Sequence, residues 1–334
     1  MKVFLSKVAN GLSLSESEAE EAFGIIMSGD ATPSQMGAFL MGLRLRGETI
    51  EEITGAARAM RKKSKKIKAP KDALDIVGTG GDSTGTFNIS TGSTLVAAGA
   101  GVTIAKHGNR AISSKSGSAD VLSELGVNTD AEFSVIEKAI QKCGVGFMMA
   151  PRHHSAMRHV AGTRVELATR TLFNVLGPLS NPAGVTRQLT GVYSKNLVEP
   201  IAQALKNLGI TKTWVVCGSD GMDELTTTGV SYVASLDKGN IDKFEITPKD
   251  AGLPEAKLSE LKGGDSKFNA IAIKEMLGGK LTPYRNIVLL NSAATLIVAE
   301  KTNNLKEGIK MAEESIDSGR ASRVLECLVT ITNS

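Results

Sequence analysis

Two short polar loops constrain the fold of this chain more than any other feature of its sequence. The first is GTGGD at 78–82 and the second is KHGNR at 106–110. Each follows a short apolar run typical of a buried strand and precedes a segment with helical spacing. This order predicts that both loops lie at the carboxyl ends of strands on one sheet edge, where α/β sheets bind ligands.

The chemistry of the two loops is complementary. The first has almost no side chains, so its backbone N–H groups can wrap an oxyanion. The second contributes the cations Lys106 and Arg110 and the imidazole of His107. Together the loops predict a polyphosphate site. For the two cations, the alternative is that they are ordinary surface charges.

Composition favours an enzyme acting on small anionic molecules. The chain has 334 residues, 41% of them apolar, which is enough for about two domains. Its 35 glycines and 4% aromatic residues favour a compact α/β enzyme over a stacking platform for nucleic acid. The net charge of +4 is small for a nucleic-acid binder. We therefore expect no nucleic-acid partner.

The cysteines and the start of the chain suggest a cellular location. Cys143, Cys217 and Cys327 are far apart and odd in number, so we expect neither a disulfide framework nor a cysteine-rich zinc site. No segment approaches the roughly 20 apolar residues of a membrane span, and the first residues show no cleavage pattern. We expect an unprocessed, soluble, cytoplasmic protein without a membrane partner.

The first seventy residues predict a helical unit. Three capping boxes mark helix starts, formed by Ser15 with Glu18, Thr32 with Gln35, and Thr49 with Glu52. The apolar residues behind them recur at helical spacing and predict a packing face. The run of cations from Arg61 to Lys68 is interrupted only by Ser64 and Ile67. We interpret it as a solvated helix end and linker, with a nucleic-acid patch as the alternative.

From Asp72 the pattern changes to alternating strands and helices. Further strands are predicted at 147–150, 189–193, 213–217 and 232–236. Helices are predicted at 268–277 and 284–299, and one helical pattern runs from 305 to 328. The alternation predicts a mostly parallel central sheet covered by helices.

Two common nucleotide motifs are missing. The sixth position of a dinucleotide fingerprint starting at Gly78 is Ser83, and the next strand ends at cationic Lys106 where an acid is expected. No G-x-x-x-x-G-K-[ST] string occurs. Beyond the first loop, Ser90 and Thr91 precede a helical run and can either cap it or bind a phosphate at its positive end.

A pair of acids supplies a candidate metal site. Asp223 and Glu224 follow the strand predicted at 213–217. Adjacent carboxylates at a strand end suit magnesium, which bridges to substrate phosphates; the alternative is a solvated turn. The pair His153–His154 has no further ligand at zinc spacing. Arg164, predicted on one helix with His154, either pairs with an acid such as Glu166 or binds a substrate carboxylate through its planar guanidinium.

Several long strings resemble the anthranilate phosphoribosyltransferase family. They are GTGGD at 78–82, NIST at 88–91, KHGNRAISSKSGSADVLSELG at 106–126, MAPRHHSAM from 149, RTLFNVLGPLSNPAG from 170, and DGMDE at 220–224. The resemblance runs from the N-terminal helices almost to the C-terminus. It implies transfer of the phosphoribosyl group of 5-phospho-α-D-ribose 1-diphosphate to anthranilate, giving N-(5-phosphoribosyl)anthranilate and pyrophosphate in tryptophan biosynthesis.

The resemblance also implies an architecture. A small N-terminal helical domain, residues 1–70 joined by a helical segment near 151–172, would be hinged to a larger α/β domain of the nucleoside-phosphorylase-like class. The larger domain would comprise 71–150 and 173–334. A homodimer through the helical domain is expected.

Site residues follow from the resemblance by motif. Those expected to meet the phosphoribosyl diphosphate are Gly78, Gly81, Asp82, Thr86, Asn88, Ile89, Ser90, Thr91, Lys106, His107, Gly108, Asn109, Arg110, Ala111, Ile112, Ser113, Ser114 and Ser118. Gly78, Asn109, His154 and Arg164 would meet anthranilate. Two Mg²⁺ ions would bind through Ser90 and through Asp223 with Glu224. No acid or base is assigned, and Lys106, His107, Asn109 and Arg164 would act electrostatically and by orienting the substrates.

One departure from the family pattern surrounds Arg164. Ala161, Gly162 and Thr163 stand where Gly-Pro-Val is expected, and Ala168 stands where a glycine is expected. Two alternative functions remain open. One is a pyrimidine nucleoside phosphorylase, and the other is a non-catalytic, nucleic-acid-binding paralogue of the same fold.

Overall fold

The chain is described from a computed structural model that covers residues 1–111 and 115–334. The expected substrate contacts of Ile112, Ser113 and Ser114 lie outside these residues. Among the described residues, no helix combines the length and the apolar character needed to cross a membrane.

The N-terminal region is helical because each of its three longer helices begins at a capping box. The helices are α1 (Lys2–Ala9), α2 (Glu16–Ser28), α3 (Pro33–Arg46) and α4 (Ile50–Lys63). All three predicted boxes are confirmed. In the third, Glu52 is fully buried and forms an ion pair with Arg46. This box therefore closes the start of α4 and also ties it to the end of α3.

The remaining chain forms a seven-stranded sheet. The strands are β1 (Leu74–Gly78), β2 (Ile104–Gly108), β3 (Val145–Met149), β4 (Arg187–Gly191), β5 (Lys212–Gly218), β6 (Ser231–Asp237) and β7 (Asn240–Ile246). Their order is β3-β2-β1-β4-β5-β6-β7. The five strands from β3 to β5 are parallel, while β6 and β7 are antiparallel. The mostly parallel sheet is as expected from the sequence, and β1 and β2 are neighbours.

Helices cover the sheet. They are α5 (Ile89–Gly99), α6 (Ser118–Glu124), α7 (Phe133–Cys143), α8 (Ala150–His153), α9 (Arg158–Leu167), α10 (Phe173–Leu176), α11 (Val198–Asn207), α12 (Ser266–Leu277), α13 (Pro283–Val298), α14 (Leu305–Asp317) and α15 (Arg320–Thr332). The largest hydrophobic core joins α5 and α13 to one face of the sheet. A second core is continuous from the N-terminal helices to α10, α11 and β5. In this core, the ring of Phe23 packs edge-on against the rings of Phe39 and Phe173, with centroid distances of 5.8 Å and 5.4 Å.

Some predicted elements differ from the structure. The single helical pattern predicted from 305 to 328 is two helices, because Gly319 adopts a left-handed conformation between them. The sequence does not predict strand β7, since it is an edge strand whose residues are mostly exposed and polar. The segment from His154 to Arg164 is not one helix either. A 3₁₀ turn at Ser155–Met157 separates α8 from α9, which packs on α2 and α3.

Two expectations about single residues are wrong. The sequence predicts a solvated cation at Arg61, but its guanidinium donates to the carbonyls of Leu179 and Leu208 at 2.6 and 2.9 Å. No disulfide is expected, yet Cys143 and Cys327 form one, with their Cα atoms 5.6 Å apart. The two cysteines are 184 residues apart in sequence and meet because α15 packs on α7. No local pattern in the sequence signals such a pair.

Candidate active site

The glycine loop (78–82) leaves β1 and is held by the acidic loop (220–224) that follows β5. Gly80 and Gly81 have φ angles of +66° and +68°, which side chains other than glycine rarely adopt. The Gly80 N–H donates to the Asp223 carboxylate at 2.6 Å, and the Thr79 N–H donates to the Gly191 carbonyl at 3.0 Å. The loop is therefore anchored to both β4 and the acidic loop.

The acidic loop can approach this closely because two neighbours lack side chains. A Cβ at Gly78 would collide with the carboxylate of Asp223, and one at Gly191 would overlap its carbonyl oxygen. The family resemblance implies that Gly78 touches both substrates. The structure adds a second reason for a glycine there, namely the room that Asp223 needs.

Three carboxylates converge at this edge of the sheet. Oxygens of Asp82, Asp223 and Glu224 all lie within 4.8 Å of one another. Burial, and then the charge of Asp82, raises the pKa of Asp223 to about 6. Burial, followed by the charge of Asp223, raises the pKa of Glu224 well above its usual range. An all-oxygen, anionic donor set fits a hard cation such as Mg²⁺, whose charge would offset this repulsion. The family resemblance assigns Asp82 to the diphosphate and not to the metal.

The N-terminus of α5 faces the same region. The helix begins at Ile89, earlier than the sequence predicts, so Thr91 lies inside the first turn and does not cap it. Within the described part of the chain, the buried Oγ1 of Thr91 has no hydrogen-bond partner. An unpaired hydroxyl beside the free N–H groups of a helix start is suited to an oxyanion. The helix start and Thr91 thus fit a phosphate group.

The side chain of Asn88 organises the approach to this helix. It donates to the Ser116 carbonyl at 3.2 Å, and its Oδ1 accepts from the Ser116 hydroxyl at 3.1 Å and the Asn269 amide at 2.9 Å. Thr86 lies nearby on the strand-like bridge to Lys262. Asn88 therefore joins the start of α5 to the loop after β2 and to α12.

Lys106 reaches across from β2 to the start of α5. Only 3% of the residue is exposed, and its ammonium donates to the Ile76 carbonyl at 2.6 Å and lies 3.4 Å from the Ser90 hydroxyl. Burial lowers the pKa of Lys106, and the charges of Asp75, Glu224 and Asp223 oppose that shift. Two residues expected at the diphosphate, Lys106 and Ser90, are thus brought together.

The loop after β2 is closed by a carboxylate that sequence reasoning missed. Asp120, in the first turn of α6, accepts from the N–H groups of Ala111 at 2.8 Å and Gly117 at 3.0 Å. The Arg110 guanidinium lies 3.5 Å from the same side chain. Asp120 therefore joins the two ends of the cationic loop. An acid just inside a helix start, beyond a glycine-containing loop, was the available signal.

Further contacts hold the described residues at the start and end of this loop. The Ser118 hydroxyl donates to the Asn109 carbonyl at 3.3 Å. A Cβ at Gly108 would collide with that hydroxyl, so the glycine permits the close approach. The side chain of Asn109 accepts from the Arg110 N–H at 2.8 Å.

The buried rings of His107 and His154 contact each other, and His153 lies apart from them. The rings of His107 and His154 meet edge-on with centroids 5.0 Å apart. Burial lowers the pKa of His107 well below its usual value and that of His154 to about 4. Both are therefore neutral near pH 7. The ring of His153 stacks on Phe133 and meets the Lys65 carbonyl at 2.7 Å, away from the other two.

Arg164 is half-buried on α9, with its guanidinium 5.6 Å from the centre of the Phe173 ring. The ion pair with Glu166, considered from the sequence, is not formed, and no other acid pairs with Arg164 within residues 1–111 and 115–334. Burial lowers its pKa from its usual value. A half-buried guanidinium without an acidic partner is suited to an external carboxylate.

The departures from the family pattern flank this arginine. Ala168 ends α9 with φ +48°, in the left-handed region that glycine occupies without strain. The helix thus ends at the position where the pattern has glycine, although alanine stands there. Ala161 and Gly162 are exposed, and a Cβ at Gly162 would meet nothing within 4 Å.

Comparison with protein families agrees with this architecture. Residues 2–64 match the helical bundle domain of a glycosyl transferase family, and residues 70–322 match its a/b domain. An anthranilate phosphoribosyltransferase of Paramagnetospirillum magneticum is 58% identical over 333 residues, covering 100% of this chain and 96% of the relative. One of Bradyrhizobium diazoefficiens is 55% identical, covering 100% of this chain and 99% of the relative.

Solved structures agree as well. The anthranilate phosphoribosyltransferase of Thermus thermophilus superposes with a TM-score of 0.94 at 42% identity, covering 99% of each chain. That of Saccharomyces cerevisiae, in complex with PRPP and Mg, gives a TM-score of 0.90 at 34% identity, covering 99% of this chain and 98% of the other. On the strength of its sequence, its fold and the residues gathered at the sheet edge, the chain belongs to the anthranilate phosphoribosyltransferase family.

Proposed function

We propose that this protein transfers the phosphoribosyl group of 5-phospho-α-D-ribose 1-diphosphate to the amino group of anthranilate, in tryptophan biosynthesis. One observation supports this most strongly. A glycine loop, the buried ammonium of Lys106 and three carboxylates lie together at the sheet edge, while His107 and His154 are buried neutral rings in contact with each other and Arg164 has no acidic partner among the described residues. The first group suits a metal-bound diphosphate, and the second suits an aromatic carboxylate.

On the donor side, the backbone of 78–82 and the start of α5 would bind the phosphates, assisted by Thr91. Lys106 would carry the positive charge into the site. Arg110 and the loop closed by Asp120 would cover the diphosphate. The other expected donor contacts follow the same loops.

We further propose two Mg²⁺ ions, one at Ser90 and one at Asp223 with Glu224, to which Asp82 is added. Magnesium, when bound, would neutralise the charge that develops on the leaving pyrophosphate. The yeast relative whose structure contains PRPP and Mg supports this choice of metal.

On the acceptor side, Arg164 would bind the carboxylate of anthranilate, and Asn109 and Gly78 would meet its amine end. His107 and His154 would form the wall of the channel as neutral rings. A yeast relative solved in complex with 4-fluoroanthranilate supports an acceptor of this class. The acceptor would thus be oriented by one charge pair and one amide.

The chemistry requires little from a base. The nitrogen of anthranilate bonds to C1 of the ribose as the bond from C1 to the diphosphate oxygen breaks, and the nitrogen then releases one proton to solvent. An aromatic amine is unprotonated near pH 7, so the main demand is stabilisation of the departing diphosphate charge. Lys106 and the glycine-loop N–H groups that are not already donated to Gly191 and Asp223 would act there as preorganised electrostatic groups.

Domain organisation, assembly and location are also proposed. Residues 1–70 with 151–172 would move as one body against 71–150 with 173–334, and the packing of α9 on α2 and α3 supports this division. A homodimer would form through the helical body, where Val3, Leu45 and Val165 are exposed apolar residues. A cytoplasmic location follows from the highly charged donor, which does not cross membranes unaided.

The decisive experiment follows anthranilate fluorescence in the presence of phosphoribosyl diphosphate. We expect the fluorescence to fall only when Mg²⁺ is present. Folded protein that causes no loss would refute the proposal. Phosphorolysis of thymidine or uridine would favour a nucleoside phosphorylase, and salt-sensitive DNA binding without turnover would favour a nucleic-acid-binding paralogue. The names of the relatives favour the transferase over both.

A further inference from the structure

The neighbouring strands β1 and β2 are paired at one position only. Their register joins Leu74 to Ile104 and ends there, whereas β1 with β4 and β2 with β3 each pair over five positions. In regular parallel pairing, the next rung would join the Ile76 N–H to the Ala105 carbonyl and the His107 N–H to the Ile76 carbonyl. That rung is missing at the point where both strands run into the candidate site.

Side chains replace the missing rung. Asp75 accepts from the His107 N–H at 3.0 Å. Asn181 donates to the Ala105 carbonyl at 2.9 Å, and the ammonium of Lys106 donates to the Ile76 carbonyl at 2.6 Å. Three of the four backbone groups of the rung are thus satisfied by side chains, and the three side chains are here called the polar wedge. Since side chains alternate along a strand, Asp75 enters the gap from one face and Lys106 from the other.

The wedge is held in one orientation. Asn181 donates to the Asp75 carboxylate at 2.7 Å, while its own Oδ1 accepts from the Ala183 N–H at 2.8 Å. The amide therefore cannot rotate without losing hydrogen bonds at both ends. Asp75 is 0% exposed and Asn181 is 6% exposed, so water cannot substitute for either. Burying a carboxylate in an apolar strand is costly unless it is hydrogen-bonded or paired with a charge.

We propose that Asp75 and Asn181 are positioning residues that hold β1 and β2 apart so that the ammonium of Lys106 reaches the diphosphate site. A closed rung would occupy the Ile76 carbonyl with the His107 N–H and remove the acceptor that now orients Lys106 towards Ser90. The inference deepens the proposed function and rests on it.

The test measures donor binding by calorimetry with phosphoribosyl diphosphate and Mg²⁺. Asp75→Asn preserves the shape but presents an amide N–H to the Asn181 amide, so we expect at least tenfold weaker binding. If Asp75 acts through Lys106, adding Asp75→Asn to the Lys106→Met variant should weaken donor binding less than threefold further, since the effects of coupled residues are not additive. If Asp75 only supported the fold, Asp75→Asn would weaken donor binding by the same factor in the parent and in Lys106→Met.

A stability control and a second variant complete the experiment. Leu236→Ala in β6 truncates a fully buried side chain of the same sheet outside the site. It should lower the unfolding temperature and leave donor binding within twofold. Asn181→Ala, judged by the same criteria, decides the case if Asp75→Asn does not fold. Folded variants that bind within twofold of the parent would overturn the inference, as would an undiminished effect in Lys106→Met.

The outcome is separable from that of the proposed function. Parent protein that binds the donor but never consumes anthranilate would overturn the proposed function, while weakened binding in Asp75→Asn would still support the wedge. Parent protein that turns over normally, with Asp75→Asn unaffected, would overturn the wedge alone.

Discussion

The N–H of Gly80 donates a 2.6 Å hydrogen bond to the carboxylate of Asp223, which lies 143 residues later in the chain. This bond joins the glycine loop after β1 to the acidic loop after β5. The phosphate-binding and metal-binding parts of the site are therefore one connected unit. A change that displaces Asp223 should disturb both.

Gly191→Ala is expected to impair the use of magnesium. The new Cβ would overlap the Asp223 carbonyl oxygen, so the acidic loop must move. We expect the Mg²⁺ concentration for half-maximal activity to rise by about 10- to 100-fold, the usual cost of disturbing the support of a metal ligand. Activity measured across a magnesium titration checks this.

The matched control is Gly24→Ala in α2, where a Cβ would meet nothing within 4 Å. Alanine is the better helix former by about 1 kcal/mol. This variant should be slightly more stable and keep the magnesium dependence of the parent. An unchanged magnesium requirement in folded Gly191→Ala would contradict the expected link between β4 and the acidic loop.

Arg164→Ala is expected to weaken the use of anthranilate far more than the use of the donor. Loss of a charge-assisted bond to a carboxylate costs about 1.5–3 kcal/mol, so the KM for anthranilate should rise roughly 10- to 150-fold. Steady-state kinetics with each substrate varied in turn provides the measurement. Arg158→Ala, an exposed cation on the same helix, is the control and should change neither KM appreciably. Equal rises for both substrates would argue against an acceptor role for Arg164.

Asp120→Ala is expected to open the cationic loop. It removes the acceptor shared by the Ala111 and Gly117 N–H groups, so the donor KM should rise by about tenfold or more. Asp120→Asn retains an oxygen there and should have a smaller effect. Asp130→Ala removes an exposed acid 3.7 Å from the same Arg110 and should have almost none. Donor kinetics of all three variants would show this order, and equal effects would exclude the role of Asp120 in joining the two ends of the loop.

His154 is expected to make stability depend on pH. Burial lowers its pKa to about 4 from 6.5, so between these values the unfolded chain binds a proton that the folded chain does not. The stability that the neutral His154 contributes is fully present above pH 6.5 and is lost as the pH falls towards 4. The unfolding free energy of the parent minus that of His154→Gln should therefore fall by up to roughly 3 kcal/mol between pH 6.5 and pH 4.

Denaturant titrations at several pH values test this prediction. Asp75 and Asp223, whose pKa values are raised to about 6, titrate with the opposite sign. They do so in both proteins, so their effect cancels in the difference. A difference that stays constant from pH 7 to pH 4 would contradict a buried, neutral His154.

The elements that could be predicted are those encoded by neighbouring residues. The capping boxes at Ser15, Thr32 and Thr49 involve residues three apart, and each lies where the sequence predicts a helix start. The apolar runs of β1 and β2 are similarly local. Gly319 is a local signal as well, since its φ of +72° ends the helical pattern between α14 and α15.

Other features depend on segments far apart in the chain. The Cys143–Cys327 pair needs α15 to pack on α7, and Asp82 joins the acids only when β1 and β5 lie in one sheet. The break between α8 and α9 and the buried position of Arg61 follow from packing of the helical region on the sheet. No periodicity of the sequence reports these contacts.

For this protein, the sequence alone determined the fold class, the family and the two loops that carry the phosphate chemistry, because these depend on local spacing and on uncommon strings. The contacts that hold those loops in place are visible only in the folded chain. Asp223 lies against Gly78 and Gly191, and Asp75 with Asn181 fills the gap between β1 and β2. Such contacts arise from the packing of distant strands, where burial makes each unpaired polar group costly and so selects one arrangement.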